Sequence, residues 1–267
     1  MSFWDSLDPR YRLILCDIWG VVHDGVRLYP TAAERLAEWR RAGRTVILIT
    51  NAPRTASAVA QQLDGLGLPR GAWDGIATSG EAGIAALLEL GRPVGFLGTA
   101  DDRAVLESRQ VPLVAGPDFT DLACSGLEES RPDVAQYRGD LERWARRGVV
   151  LHCLNPDRVV LFGGVPEPCA GALADIYEQL GGRVRWYGKP YPAIYRHALR
   201  LAGDPPGDAV LAVGDGLQTD MLGAARMGFD AVFVSGGIHG GGPIPPDFAG
   251  RHGLGDWRPV AVVGGLA

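Results

Sequence analysis

Polar residues follow four separate strand-like runs in this sequence, and together they carry groups that can bind a phosphate and a metal ion. The strand-like runs are residues 13–16, 45–50, 184–187 and 209–213, and all but the third are compact apolar runs. The polar residues at or after their ends are Asp17, Thr50-Asn51, Lys189 and Asp215. Compact apolar runs of this length are typical of buried strands in a parallel sheet. Because open α/β sheets bind ligands at the carboxyl ends of their strands, we expect these residues to lie close together.

Two carboxylates, a hydroxyl and an ammonium at one sheet edge would form a phosphate site. Asp17 and Asp215 would hold Mg²⁺, a hard cation that prefers oxygen ligands. The metal and Lys189 would neutralise phosphoryl oxygens, and Thr50 would donate a hydrogen bond to one of them. Asp17 could then attack phosphorus and form an acyl phosphate. Each residue alone also fits a simpler structural role, as a turn, a helix cap or a solvated cation.

Strand and helix patterns alternate along the chain, which predicts an α/β fold with a parallel sheet and crossover helices. Residues 79–183 contain their own cycle of such elements, so we expect an inserted α/β domain there and a core formed by residues 1–78 and 184–267. Within the insertion, residues 111–114 are predicted to be a strand. Residues 149–154 and 159–162 are predicted to be a strand pair around a polar turn.

Composition excludes several classes of function. A net charge of −5 gives no electrostatic basis for binding nucleic acid or an anionic membrane. No apolar run reaches the length of a membrane span, and the first residues lack a signal-peptide pattern. The four cysteines show no CxxC spacing and are expected to be buried thiols in a reducing compartment. We therefore expect a cytoplasmic protein.

Four ordered motifs of the sequence resemble those of the haloacid dehalogenase (HAD) superfamily. They are Asp17-Ile-Trp-Gly-Val, Thr50-Asn51, Gly188-Lys189-Pro190 and Gly214-Asp215-Gly-Leu-Gln-Thr-Asp220. The long segment between the second and third motifs resembles the α/β cap of the class IIA branch, and Asn155-Pro156-Asp157 is similar to a turn in such caps. The resemblance implies a three-layer α/β/α Rossmann-like core with a mobile cap. It also implies a Mg²⁺-dependent phosphohydrolase that acts on a small phosphorylated metabolite through an aspartyl phosphate.

The resemblance also implies roles for individual residues. Asp17 would be the nucleophile, and Lys189 would pair with both Asp17 and the phosphate. The implied metal-binding residues are Asp17, the backbone carbonyl of Trp19, Asp215 and, farther from the ion, Asp220. The implied substrate-binding residues are Thr50, Asn51, Lys189, Asn155 and Asp157.

Trp19 departs from the family pattern, because family phosphatases carry a second Asp at this position. That Asp protonates the leaving alcohol and later activates water, whereas an indole N–H is not a usable acid or base near neutral pH. General acid–base catalysis contributes ~10²–10⁴-fold, so we expect slowed turnover, most of all for poor leaving groups such as sugar alcohols. His23 and Asp24 are alternative acid–base groups, although they also fit an ordinary turn before Gly25.

Two classes of function therefore stay open: a phosphatase with attenuated activity, and a phosphometabolite-binding or regulatory protein on the same fold. A nucleotide-cofactor enzyme is disfavoured, since no G-x-G-x-x-G follows a strand and the Gly-Lys pair is followed by Pro190. The sequence identifies neither the substrate nor the subunit number, and a homo-oligomer remains open.

Overall fold

The computed structural model describes residues 2–114, 116–162, 165–238 and 242–267. The chain folds into two compact units. The first unit consists of Met1–Thr50, Ala56–Ala77 and Lys189–Ala267, and the second of Asn51–Thr55 and Thr78–Gly188. Each unit has its own parallel sheet, described in turn below.

The strands, in chain order, are β1 Leu13–Asp17, β2 Thr45–Thr50, β3 Gly75–Thr78, β4 Gly95–Leu97, β5 Asp121–Cys124, β6 Val150–Cys153, β7 Val159–Phe162, β8 Val165–Pro168, β9 Arg183–Trp186, β10 Val210–Gly214, β11 Asp230–Val234 and β12 Ala261–Val263. The α-helices are α1 Ala32–Arg41, α2 Ala56–Gly65, α3 Ser79–Glu89, α4 Ala100–Ser108, α5 Arg138–Arg146, α6 Ala170–Gln179, α7 Pro192–Leu201, α8 Leu222–Met227 and α9 Phe248–Arg251.

The first unit is built on a six-stranded sheet with the order β12-β11-β10-β1-β2-β3. β1 runs parallel to both of its neighbours, with Leu13 opposite Val210 on one side and Thr45 on the other. Every residue of β1 and β10 is buried, which explains why these strands are apolar without alternation. Helices α7, α8 and α9 contribute side chains to one core beside the sheet, and α1 packs on β2. The predicted α/β fold with a Rossmann-like parallel sheet is confirmed.

The second unit has a four-stranded parallel sheet with the order β4-β5-β6-β9. Its core contains Leu141 of α5 and Leu173 of α6, packed with Leu151 of β6. Strands β7 and β8 form a separate antiparallel hairpin. Among the described residues, none of the helices in either unit has the length and apolar character needed to cross a bilayer.

Three details of the insertion differ from the sequence-based expectation. Residues 111–114 make only an isolated bridge, at Leu113, and the strand of this region is β5. Strands β6 and β7 do not pair with each other, because β6 lies between β5 and β9 whereas β7 pairs with β8. Strand β9 pairs with β6, so residues 183–188 lie in the second unit although the expected core begins at residue 184.

A chain of buried polar groups crosses the second sheet from β5 to the residue after β9. His152 contacts the Asp121 carboxylate through Nε2 at 2.9 Å and the Tyr187 hydroxyl through Nδ1 at 2.7 Å. Arg92 and Thr120 donate to the other oxygen of Asp121. Since a carboxylate only accepts, Nε2 carries the proton and Nδ1 accepts from the tyrosine. Every polar group in this chain therefore has a hydrogen-bond partner, and no sequence motif predicted the arrangement.

Candidate active site

Asp17, Thr50 and Asp215 lie at the same edge of the first sheet. Asp17 ends β1, Thr50 ends the neighbouring β2, and Asp215 directly follows β10 on the other side. All three side chains are buried. The Asp17 Oδ1 atom accepts a hydrogen bond from the Ile18 N–H at 2.8 Å. The parallel order of the three strands is what places these groups together.

Lys189 links two of the carboxylates. Its Nζ atom lies 2.6 Å from Asp17 Oδ1 and 2.8 Å from Asp220 Oδ1, and the residue is 4% exposed. No strand of the first sheet delivers it, because it follows β9 of the second unit and precedes α7. It is also the only lysine in a chain with 26 Lys and Arg residues. A compact ammonium can bridge two carboxylates where a planar guanidinium would not fit, and this lone lysine was a sequence signal that motif reading did not use.

Asp220 is positioned by a widened helical turn, a π-helical segment over Leu217–Met221. The N–H groups of Asp220 and Met221 both donate to the Gly216 carbonyl, at 2.9 and 3.0 Å. The Asp220 Oδ2 atom accepts from the Gly216 N–H at 3.1 Å and from the Thr219 hydroxyl at 3.2 Å. π-helical turns are rare in proteins, and those that occur are often found at functional sites. Both oxygens of Asp220 are thus engaged by the protein, one by this turn and one by Lys189.

Glycines far apart in sequence make room for these carboxylates. A Cβ atom at position 20, where φ is +84°, would lie 2.0 Å from Asp215 Oδ2, and one at position 237 would lie 2.1 Å from the same atom. A Cβ atom at position 214 would lie 2.2 Å from Asp220 Cγ. Real Cβ atoms do not approach other atoms this closely, so a side chain at any of the three would displace an acid. Sequence reasoning missed the roles of Gly20 and Gly237, because the close approach exists only in the fold.

The side chains of Asp17, Asp215 and Asp220 form a cluster in which one oxygen from each lies within 4.8 Å of the others. Burial raises the pKa of Asp17, the Asp220 charge raises it further, and Lys189 opposes both. Burial by itself would lower the pKa of Lys189, but the charges of Asp17 and Asp220 raise it well above its usual range. The cluster thus combines three carboxyl groups with one ammonium. An all-oxygen cluster of this kind suits a hard divalent cation.

Trp19 is half-buried and packs against the turn that follows it. Its indole meets the His23 ring edge to face at 4.9 Å, and a Cβ atom at position 25 would lie 2.6 Å from the indole. The His23 Nδ1 atom accepts from the Gly25 N–H at 2.9 Å. Burial lowers the pKa of His23, and the charge that opposes this shift is that of Asp24.

Asp24 holds a tight turn together. Its Oδ1 atom accepts from the N–H groups of Val26 and Arg27, each at 2.9 Å. These two hydrogen bonds, with the nearby Arg27 guanidinium, lower the pKa of the Asp24 carboxyl. The ordinary turn that Asp24-Gly25 suggested is therefore what the structure contains.

The remaining predicted residues, Asn51, Asn155 and Asp157, belong to the second unit. Asn51 Nδ2 donates to Asp157 Oδ1 at 2.8 Å, and the Asp157 N–H donates to Asn155 Oδ1 at 3.1 Å. Both Asn51 and Asn155 are buried. Their contacts with a substrate stay a prediction, while their contacts with one another fix the turn at residues 155–157.

The sequence and the fold have counterparts among known proteins. Family models described as haloacid dehalogenase-like hydrolase and HAD-hydrolase-like match residues 14–111 and 186–253. A solved hydrolase of the haloacid dehalogenase-like family from Brucella suis 1330 is 35% identical, with a TM-score of 0.85 over 98% of each chain. The chain belongs to the haloacid dehalogenase-like hydrolase family.

Two further relatives indicate where in the family it lies. Ribonucleotide monophosphatase NagD of Escherichia coli K12 is 29% identical over 241 residues, which cover 84% of this chain and 88% of NagD. The p-nitrophenyl phosphatase of Archaeoglobus fulgidus shares the fold, with a TM-score of 0.76 and 22% identity over 97% of each chain. This chain is thus a HAD-type hydrolase of the class IIA group.

Proposed function

We propose that the protein is a Mg²⁺-dependent phosphohydrolase that transfers a phosphoryl group from a small phosphorylated metabolite to Asp17 and then to water. The observation that carries the proposal is the buried Asp17 carboxylate, held by Lys189 beside two further acids. NagD is named a ribonucleotide monophosphatase, which supports phosphate monoester chemistry for the class.

The two oxygens of Asp17 differ in their surroundings. Oδ1 accepts from Lys189 and from the Ile18 N–H, whereas Oδ2 has no hydrogen bond to any of the residues that the structure describes. One oxygen is therefore fixed and the other is available to attack phosphorus or to bind a cation. Covalent catalysis of this kind divides one difficult displacement into two easier ones.

The site residues fit a hard cation such as Mg²⁺. Asp17 and Asp215 would hold it through side-chain oxygens, and the family resemblance adds the Trp19 backbone carbonyl. Both Asp220 oxygens are engaged by protein donors, so Asp220 would act by holding Lys189 in place. When bound, the ion would offset the negative charge of the acids and of the phosphoryl oxygens.

Lys189, Thr50 and the Asn51 backbone would bind the phosphoryl group. The Lys189 ammonium is fixed by two carboxylates, so it needs no rearrangement to meet an anionic substrate. It would offset charge on the phosphoryl oxygens during transfer. Thr50 lies at the end of the strand next to β1, where its hydroxyl would donate to another oxygen.

Release of 4-nitrophenolate from 4-nitrophenyl phosphate tests the proposal. We expect turnover that depends on Mg²⁺, is stopped by chelation and is lost in Asp17→Asn. The matched control is Asp64→Asn, which changes an exposed acid of α2 in the same unit and should leave turnover unchanged. Absence of turnover with the metal present, on esters and acyl phosphates alike, would contradict the proposal.

The second candidate is a phosphometabolite-binding or regulatory protein, and Trp19 is the residue that favours it. An indole two residues after the nucleophile supplies no acid or base, so the site could bind a phosphorylated metabolite without hydrolysing it. Saturable binding of a phosphorylated metabolite without phosphate release would favour this candidate.

A cytoplasmic location also remains our proposal, supported by four free, buried cysteines.

A further inference from the structure

Cleavage of a phosphate ester at this site needs a proton for the leaving oxygen unless that oxygen is stable as an anion. Among the residues of the first unit that the structure describes, few donors are close to Asp17 in the chain or in contact with it. Lys189 already donates to two carboxylates, at 2.6 and 2.8 Å. The indole of Trp19 has an N–H that does not act as an acid near neutral pH.

His23 is held by its own turn. Its Nδ1 atom accepts from the Gly25 N–H at 2.9 Å, so this geometry holds the neutral ring, with its proton on Nε2. The N–H of a neutral imidazole, like that of an indole, is not a usable acid near neutral pH. The ring also packs against the Trp19 indole, with the two ring centroids 4.9 Å apart, and the residue is 1% exposed.

Asp24 is equally committed to the turn. Its two oxygens accept from the Val26 N–H, the Arg27 N–H and the Arg27 guanidinium, at 2.9, 2.9 and 3.3 Å. A carboxylate that accepts three hydrogen bonds is held in its ionised form. Neither of the two sequence-based alternatives to the missing acid is therefore held in a form that can protonate a leaving group.

We infer that the substrates of this enzyme are phosphoryl compounds whose leaving group departs as a stable anion: acyl phosphates and aryl or enol phosphates, and not alkyl phosphates of sugars or glycerol. The inference rests on the proposed function. The inferred substrate class is narrower than the relatives suggest, since a ribonucleotide monophosphatase cleaves an alkyl ester.

The two steps balance without a protein acid. In the first, an Asp17 oxygen forms a bond to phosphorus while the bond to the leaving oxygen breaks, and the leaving group keeps the electron pair. In the second, water attacks phosphorus, the bond to Asp17 breaks, and the proton from water ends on the released phosphate. General acid–base catalysis contributes ~10²–10⁴-fold, so its absence should separate good from poor leaving groups by a factor of this size beyond their intrinsic difference.

A leaving-group series on the full chain tests the inference. The substrates are 2,4-dinitrophenyl, 4-nitrophenyl and phenyl phosphate, acetyl phosphate, and the alkyl esters glycerol 3-phosphate and ribose 5-phosphate, all with Mg²⁺. We expect kcat/KM to fall steeply with the basicity of the leaving group, with the alkyl esters at least about 100-fold below 4-nitrophenyl phosphate. This comparison needs only the wild type, so it does not depend on whether a variant folds.

Two variants separate proton transfer from steric effects. Trp19→Asp supplies a carboxyl group. Trp19→Asn introduces a side chain of nearly the same shape as aspartate but without an acid. We expect Trp19→Asp to raise kcat/KM for the alkyl esters more than for 4-nitrophenyl phosphate, and Trp19→Asn to raise neither, with far-UV circular dichroism showing both folded. Equal gains in the two variants would overturn the inference.

Failure of the inference and failure of the proposed function are distinguishable. Alkyl esters cleaved by the wild type within about tenfold of 4-nitrophenyl phosphate would overturn the inference alone, since the 10²–10⁴-fold contribution would then be present. No turnover of 2,4-dinitrophenyl phosphate or acetyl phosphate would overturn the proposed function, and the inference with it.

Discussion

Replacement of Lys189 by methionine should destabilise the metal-free protein strongly. The ammonium lies 2.6 Å from Asp17 and 2.8 Å from Asp220, and all three residues are at most 4% exposed. Methionine fills similar space, so the substitution removes the charge with little change in packing. What remains is a buried group of three acids, including Asp215, without a cation.

The magnitude follows from the contact distances. With an effective dielectric constant of about 20, each contact is worth roughly 6 kcal/mol of attraction, and the cost of desolvating the ammonium offsets much of it. Removal of one partner from a buried pair typically costs about 3–5 kcal/mol. We expect a loss in this range, which corresponds to roughly 6–20 °C in Tm at about 2–4 °C per kcal/mol.

Urea unfolding followed by far-UV circular dichroism, in chelator, measures this loss. The matched control is Arg196→Met, which removes an exposed cation from α7 and should change the free energy of unfolding by no more than about 0.5 kcal/mol. A double-mutant cycle adds a second check. Asp220→Asn should cost less in the Lys189→Met background than in the wild type, because it then removes surplus charge. A folded Lys189→Met variant that loses less than about 1 kcal/mol would refute the reasoning.

Three further predictions follow from the same geometry. Gly237→Ala should lower turnover of 4-nitrophenyl phosphate at least about tenfold by displacing Asp215, which is within the range that small misplacements of catalytic groups produce. The control is Gly65→Ala, where a Cβ meets nothing within 4 Å and turnover should stay unchanged. Equal rates for the two variants would contradict the close approach of position 237 to Asp215. If no base activates water, breakdown of the phospho-Asp17 intermediate should limit turnover, so rapid mixing should show a burst of 4-nitrophenolate near one equivalent per enzyme; a linear trace would contradict this. Burial lowers the pKa of His152, so the stabilising contribution of the neutral ring is present above the unfolded pKa of about 6.5 and is lost as pH falls below it. The free energy of unfolding should therefore fall less steeply between pH 7 and pH 5 in His152→Gln than in the wild type, by up to about 1.4 kcal/mol per pH unit. Parallel plots of unfolding free energy against pH for the two proteins would contradict this prediction.

The strands of the first sheet could be predicted because their chemistry is local. Residues 13–16 and 210–213 are apolar on both faces, and only a strand covered on both sides needs that pattern. An acid at the end of each run then places two carboxylates at one edge. The arrangement of Asp17 and Asp215 thus follows from composition and chain direction alone.

Other features depend on contacts between distant residues, so the sequence could not reveal them. Strand β5 begins with a carboxylate, and its burial becomes tolerable only through His152 and Arg92, which arrive from elsewhere in the chain. Lys189 was expected to follow a strand of the first sheet, yet it follows a strand of the second. It lies between β9 and α7, in a short connection for which no periodic pattern exists.

Because Lys189 is both the chain's single lysine and enclosed by two acids, its reactivity reports on one place in the molecule. Amine-selective reagents should modify the folded protein at its α-amino group and gain one additional target only when the first unit opens. Counting the attached labels by intact mass would then measure how often the catalytic centre is exposed to solvent. No mutation is needed to assign the second label, because the chain contains a single lysine.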